Sequence, residues 1–266
     1  MTVPRAARPT ALWEGDVMGP IRGVLAWQCV LDALVQAGAD DDGSGSLDVL
    51  DLGGGTGSDA VRVAALGHRV TVVDPSPDAL AASARRATEA GVQIEGLLGD
   101  SADLAEHVAD GSIDLVICHG VLEHVLDPAQ AVDAARAALR PGGWLSVLVG
   151  GRVAAVAARA AAGDFAGARA LVEATPDASW DLAGLGPRRW LLEELEALLS
   201  GHGLTPVLAQ GVRVLSDEVP GVVVDGSAGA REQLYALERE VRRIPQFAGR
   251  SAGLQTMARL ESTSHP

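Results

Sequence analysis

Leu47-Asp48-Val49-Leu50-Asp51-Leu52-Gly53-Gly54-Gly55-Thr56-Gly57, then a helical stretch, then Val70-Thr71-Val72-Val73-Asp74, is the segment on which the reading of this chain turns. Its order is strand, glycine loop, helix, strand, acidic end. A glycine loop at the mouth of a parallel sheet lets the backbone approach a ligand closely. A carboxylate at the tip of the next strand can accept hydrogen bonds from two ribose hydroxyls. The segment therefore predicts an adenosine-bearing cofactor, although Asp74 could also cap the helix that starts near Pro75, a position Asp favours.

The glycine spacing selects among such cofactors. A dinucleotide fingerprint needs Gly-x-Gly-x-x-Gly with a pyrophosphate on the helix N-terminus. Here the glycines fall at 53, 55 and 57, behind Asp51. Asp51 attracts an ammonium and repels a pyrophosphate, so the loop suits a cofactor with an amino-acid tail, which S-adenosylmethionine has.

Further segments follow in register. They are Leu97-Leu98-Gly99-Asp100-Ser101, Ile113-Asp114-Leu115-Val116-Ile117-Cys118-His119, Val121-Leu122-Glu123-His124-Val125-Leu126-Asp127-Pro128, and Leu139-Arg140-Pro141-Gly142-Gly143-Trp144-Leu145. With the glycine loop they resemble the class I S-adenosylmethionine-dependent methyltransferases. The resemblance implies a Rossmann-like α/β fold: a seven-stranded sheet, mostly parallel with its last strand antiparallel, an N-terminal helical lid and a small helical cap. It also places the adenine near Asp100.

Composition excludes several chemistries. All 21 basic residues are arginine, and the chain has no lysine and no asparagine. Schiff-base catalysis, a phosphate-loop lysine and a Tyr-Lys dehydrogenase pair are ruled out. An Asn-Pro-Pro-Tyr amino-methyltransferase motif is absent, and Cys118 precedes His119 rather than a proline. Cys29 and Cys118 read as reduced core thiols. The formal charge of -14 opposes long-range attraction to nucleic acid. No apolar run reaches the length of a membrane span, and no signal-peptide pattern opens the sequence, so a cytoplasmic protein without a membrane partner is expected.

One class I methyltransferase domain over 1–266 is expected: an arm and lid helix at 1–38, a cofactor core at 47–149, a cap insertion at 150–187 and the C-terminal half of the sheet at 188–262. Residues 1–18 read as irregular. Val24, Trp27, Leu31 and Leu34 form an apolar stripe at helical spacing, and residues 40–46 form a linker. Strands are predicted near 47–52, 69–74, 92–98, 113–118, 144–149, 204–214 and 252–260. Helices are predicted near 57–67, 77–90, 101–109, 128–139, 188–200 and 229–243, with an alanine-rich helix from 152. Arg188-Arg189 and the arginines between 231 and 250 read mainly as solvated helix faces.

Gly19-Pro20-Ile21-Arg22-Gly23-Val24-Leu25-Ala26-Trp27-Gln28, Ala162-Gly163-Asp164-Phe165 and Gly211-Val212-Arg213-Val214 narrow the resemblance to the tRNA 5-carboxymethoxyuridine methyltransferase family. Those enzymes methylate the carboxylate of a modified wobble uridine. By position the resemblance assigns cofactor contacts to Arg22, Gly53, Gly54, Asp74, Ser101, Ala102 and His119; the residue-level reading adds Asp51, Gly55 and Asp100. The chain departs from the family where a lysine-rich cap stretch becomes Glu173-Ala174-Thr175-Pro176-Asp177-Ala178-Ser179-Trp180-Asp181. That leaves the acceptor open between a modified tRNA anticodon and a small metabolite, because fold and cofactor motifs do not fix it.

Methyl transfer from a sulfonium is an in-line displacement, so the protein holds the nucleophile about 3 Å from the methyl carbon and excludes water. A carboxylate acceptor, with a pKa of about 4, is ionised at neutral pH and needs no general base. Arg213 is the expected acceptor clamp, with Arg250 as second choice. For a hydroxyl or amine acceptor His119 becomes the candidate base. A third reading is a protein that binds the cofactor without turnover. Helical spacing would bring His119 and Glu123 together but point His124 away, so no metal site is expected. Oligomeric state is open.

Overall fold

The computed structural model describes residues 21–38, 45–176, 180 and 183–261, except the side chains of Ile21 and Arg22. The arm expected at 1–18, most of the 40–46 linker, and cap residues 177–179 and 181–182 lie outside them.

The first half alternates as α1 (Ile21–Gln36), β1 (Asp48–Leu52), α2 (Ser58–Ala65), β2 (Arg69–Asp74), α3 (Pro77–Ala90), β3 (Glu95–Leu98), α4 (Leu104–His107), β4 (Ile113–His119), α5 (Pro128–Ala138) and β5 (Leu139–Gly150). The second half continues with α6 (Arg152–Ala161), α7 (Phe165–Glu173), α8 (Leu192–Gly201), β6 (Leu204–Val212), α9 (Gly221–Gly226), α10 (Ala230–Val241), α11 (Pro245–Ala248) and β7 (Gly253–Leu260).

Local chemistry sets the helix ends. Ser76 caps α3, its Oγ accepting from Ala79 N–H at 3.2 Å ahead of Pro77 in the first turn. The cap is therefore Ser76 rather than Asp74. Asp127 caps α5 in the same way, accepting from Ala129 and Gln130. The helix expected at 101–109 shrinks to α4 because acidic side chains hold the preceding turn. Asp103 Oδ1 accepts from Asp100 N–H at 2.7 Å, and Asp100 Oδ1 accepts from Ala102 N–H at 2.6 Å.

Two other boundaries also moved. β3 starts at Glu95 rather than near 92, and β5 starts at Leu139 rather than near 144. The helix expected from 188 begins at Leu192, because Arg188–Trp190 runs extended beside the end of β5. There Trp190 N–H donates to Gly150 O at 2.9 Å and Trp190 O accepts from Arg152 N–H at 2.8 Å. α9 lies in a stretch that reads as irregular in the sequence.

The strands form one seven-stranded sheet, ordered β3-β2-β1-β4-β5-β7-β6. β1 to β5 pair in parallel, and β7 runs antiparallel between β5 and β6. One face is covered by α1, whose Trp27, Val30, Ala33 and Leu34 pack with Val49, Leu115 and Ile117. Most of α1 is thus a core helix. Only its first turns, with Leu25 against Val212 and near Leu148, reach the carboxyl edge of the sheet. The other face buries Leu50, Val116, Cys118 and Val147 under α5 and α8, through residues such as Ala135 and Leu195. Each large apolar side chain buried this way contributes about 1.5–3 kcal/mol before entropy is counted.

α6 and α7 form the cap as a helical pair around Leu171, Trp180 and Leu185. Arg152 ties the pair to the core: its buried guanidinium bonds Glu194 at 2.7 and 2.9 Å and lies 5.3 Å from the centre of the Trp180 ring.

Candidate active site

The carboxyl ends of β1, β2, β4 and β5 converge on the glycine loop, the edge at which open α/β sheets bind ligands. Gly53 leaves β1 with φ 71° and donates to Val73 O at 2.7 Å. A Cβ at Gly53 would meet Val121 Cγ2 at 2.5 Å, and one at Gly54 would meet Asp51 Oδ2 at 2.5 Å. The loop is therefore bare backbone packed directly on side chains, and a Cβ at either position forces Val121 or Asp51 to shift. Gly57, at φ 72°, starts α2.

Three carboxylates surround this loop. Asp74 accepts from Gly55 N–H through Oδ2 at 2.8 Å and from Ser76 N–H through Oδ1 at 2.9 Å. It thereby fixes the loop to the end of β2, and each oxygen keeps a lone pair for a ribose hydroxyl. Asp51 is buried at 6% exposure, and its carboxyl has no hydrogen-bond partner among the described residues. Burial, with the negative charges of Asp59 and Asp74, pushes its carboxyl up to about 7. Asp59, in the first turn of α2, is itself pushed up by burial.

An unpartnered buried carboxyl beside two more acids matches the ammonium end of S-adenosylmethionine and opposes a pyrophosphate at the α2 N-terminus. The donor set fits that cofactor. Asp51, Gly53, Gly54, Gly55 and Asp74 sit together as expected. Asp100, Ser101 and Ala102 form the turn after β3, beside Asp74 through Gly99 N–H to Asp74 O at 3.3 Å. Arg22 lies in the first turn of α1, and its side chain is outside the described residues.

His119 ends β4 at the head of a polar seam. Its Nε2 lies 2.8 Å from Ser146 Oγ. Gln255 Nε2 donates to Ser146 Oγ at 2.9 Å and to Cys29 O at 3.0 Å, which uses both its protons. The Ser146 hydroxyl, which already accepts from Gln255, pairs with His119 Nε2, and the direction of that bond follows the tautomer of the ring. Gln210 donates to Gln255 Oε1 and to Asp32 of α1, and Arg242 closes the seam as a hydrogen-bonded ion pair with Asp32. Burial lowers the His119 pKa to about 4, keeping the ring neutral.

Glu123 does not share a helix face with His119. It lies in a turn beyond the strand, where its Oε1 accepts from Gly150 N–H at 2.8 Å. Arg213 stands just past β6 at the carboxyl edge with φ 58°, its guanidinium bonded to Asp217 at 2.9 Å. The three N–H groups that follow it are all held by buried Glu238: Val214 at 2.9 Å, Leu215 at 2.9 Å and Ser216 at 2.7 Å. Arg250 follows α11, on the same side of the sheet edge. Ser146, Gln210, Gln255 and Glu238 escaped the sequence reading. Their only signal was a lone polar residue inside an apolar strand or at an inward helix position. A cavity of about 410 Å³ bounded by Ser200, Gly203, Thr205 and Glu261 opens at the opposite edge, away from these groups.

Fold and site together define an α/β protein that binds an adenosine cofactor with a cationic end. The family described as "Methyltransferase domain" matches residues 50–147. The tRNA 5-carboxymethoxyuridine methyltransferase of Escherichia coli K12 is 32% identical over 136 residues, covering 50% of this chain and 50% of that protein. The chain thus spans about half the length of that relative. The ubiquinone biosynthesis O-methyltransferase of Xanthomonas axonopodis pv. citri is 34% identical over 170 residues, covering 64% of this chain and 69% of that protein.

Among solved structures, an S-adenosylmethionine-dependent methyltransferase from Mesorhizobium loti aligns with TM-score 0.58 at 20% identity, over 88% of this chain and 99% of that one. The cyclase SpnF aligns with TM-score 0.60 at 19% identity, over 94% of this chain and 86% of that one. These two show the fold, which hosts more than one chemistry. The chain belongs to the class I S-adenosylmethionine-dependent methyltransferases, and S-adenosylmethionine is its cofactor. No helix among the described residues is long and apolar enough to cross a membrane.

Proposed function

We propose that this protein transfers a methyl group from S-adenosylmethionine to a carboxylate, with the carboxylate of a modified tRNA wobble uridine as the first acceptor to test. The carrying observation is the buried, unpartnered Asp51 beside the Asp74-anchored glycine loop, a seat for the cofactor's ammonium and ribose. S-adenosylmethionine, when bound, supplies an electrophilic methyl on a sulfonium. Asp51 holds its charged tail, Asp74 its ribose, and the bare backbone at Gly53 and Gly54 allows close contact.

His119 supports a carboxylate acceptor over one that must lose a proton. Its ring is buried, hydrogen-bonded to Ser146 and lowered to a pKa of about 4, which makes it a weak general base. Arg213, at the carboxyl edge, is the clamp the sequence suggested for the acceptor; it would serve by exchanging Asp217 for the incoming carboxylate. The name of the E. coli relative favours tRNA, whereas the charge of -14 opposes long-range attraction to nucleic acid and so favours a small metabolite. A phenolic acceptor is the second reading, favoured by similarity to the ubiquinone biosynthesis O-methyltransferase.

Incubation with methyl-labelled S-adenosylmethionine and either undermodified bulk tRNA or a small-metabolite extract tests this reading. Label on tRNA that mild alkali releases is the expected result. Alkali-stable label on metabolites supports the phenolic reading, and absence of label from both fractions refutes methyl transfer.

A further inference from the structure

We propose that Arg189 is an anion-binding residue of the acceptor site, placed to grip a carboxylate on the molecule to be methylated. The proposal deepens the methyl-transfer reading and rests on it for the identity of the ligand as acceptor.

The position follows from backbone alternation. Arg188, Arg189 and Trp190 form the extended segment that bridges the end of β5. Arg188 and Trp190 turn inward, with exposures of 8% and 3%, and Arg188 donates to Val125 O at 3.2 Å. Arg189 turns the other way, and its guanidinium occupies the space that a Cβ on Gly150 would fill. Gly150 shares a sheet face with Ser146 and Leu148, because side chains alternate along β5. Leu148 pairs with His119 across the parallel ladder, and Ser146 bonds it. The guanidinium therefore stands on the His119 face of the sheet, about 7 Å further towards the carboxyl edge. It also lies on the β5 side, away from the Asp51 seat in β1.

The electrostatics call for a ligand. Arg189 is half-buried, and while its backbone carbonyl accepts from Arg152, its guanidinium has no hydrogen bond or ion pair among the described residues. By contrast, Arg152 is satisfied by Glu194 and Arg213 by Asp217. The opposite charge that Arg189 feels is Glu123, which touches Gly150 N–H rather than the guanidinium. The second oxygen of Glu123 is buried without a partner. A half-buried cation left without a paired acceptor is costly. A planar carboxylate matches the guanidinium fork, and an O–H or N–H on the same molecule would satisfy Glu123. Gly150 serves this arrangement through its missing side chain.

The test is a titration of the protein saturated with S-adenosylhomocysteine, using 5-carboxymethoxyuridine and benzoate as probes and their neutral amides as controls. The wild type is expected to bind at least one acid about tenfold more tightly than its amide. R189Q is expected to lose that preference, and R189K to keep part of it. G150A, which retains the arginine but fills its place, should lose the preference too. All should keep wild-type affinity for S-adenosylhomocysteine, which also reports that they fold. R169Q, at an exposed arginine of α7 paired with Glu173, should keep the preference.

An R189Q protein with an unchanged acid preference, or a wild type with none for either probe, overturns the proposal. Failure of the wild type to bind S-adenosylhomocysteine would instead count against the methyl-transfer reading. The acid preference would then be read from the same titration without it.

Discussion

Ser146 Oγ lies 2.8 Å from His119 Nε2 and accepts from Gln255 Nε2 at 2.9 Å, while the same Gln255 amide donates to Cys29 O at 3.0 Å. A residue at the active edge is thereby tied into a buried polar seam with partners on β5, β7 and α1.

This arrangement has a pH consequence. The folded His119 pKa of about 4 lies below the ordinary 6.5. As pH falls below 6.5 the unfolded chain takes up the proton first, so stability present above 6.5 is lost on the way down to 4. At about pH 5 the loss from this group is on the order of 1–2 kcal/mol. Urea denaturation at neutral and mildly acidic pH should show a smaller acid loss in His119→Gln than in the wild type. Equal losses would rule the lowered pKa out.

Asp51 should separate stability from binding. Its folded pKa of about 7 lies above the ordinary 3.8, so the unfolded chain ionises first and stability falls as pH rises from 3.8 to 7. Asp51→Asn removes that penalty and should gain on the order of 2–4 kcal/mol above pH 7. The same variant should bind S-adenosylhomocysteine at least tenfold more weakly. Wild-type affinity should decline as pH drops below 7, where the carboxylate that attracts the ammonium becomes protonated. Thermal denaturation and calorimetry measure the two halves; a variant that loses both stability and affinity contradicts this account.

Gly53→Ala and Gly54→Ala should differ in kind. At Gly54 the added Cβ meets Asp51 Oδ2 at 2.5 Å and Val72 Cγ1 at 3.0 Å, so Asp51 must move. Cofactor affinity should fall about tenfold or more, with about 1–3 kcal/mol of stability lost. At Gly53 the φ of 71° adds about 1–2 kcal/mol of left-handed backbone strain to the clash with Val121. Parallel chemical denaturation should rank Gly53→Ala as the less stable; the reverse order refutes the strain argument.

Glu238→Gln tests the corner behind Arg213. Replacing the carboxylate turns an amide N–H₂ towards backbone N–H groups that now meet two acceptor oxygens. A loss of about 2–4 kcal/mol is expected, together with faster hydrogen exchange at Val214, Leu215 and Ser216. Unchanged exchange at those amides would show that the corner is held by something else.

The cofactor half of the site was legible because its chemistry is local. Asp51, the glycines and Asp74 fall within 24 residues of one strand-loop-helix-strand unit, so their convergence at one sheet edge, and the role proposed for each, follows from residue type and the end of its own strand. The turn around Asp100 was less legible, since side-chain bonds from Asp100 and Asp103 outcompeted the helical pattern. Arg188-Arg189 suggested a solvated helix face. Pairing with the end of β5 made the segment extended, so one arginine is buried and the other stands over Gly150.

Residue order and type alone therefore established the sheet, the glycine loop, the cationic-tailed cofactor and the exclusion of lysine chemistry, since each depends on contacts within a few residues or on composition. The polar seam behind His119, the placement of Arg189 and the anchoring of the Arg213 corner depend on residues up to 226 positions apart, such as Cys29 and Gln255. Strand register and helix docking bring those groups together, and no spacing along the chain encodes it.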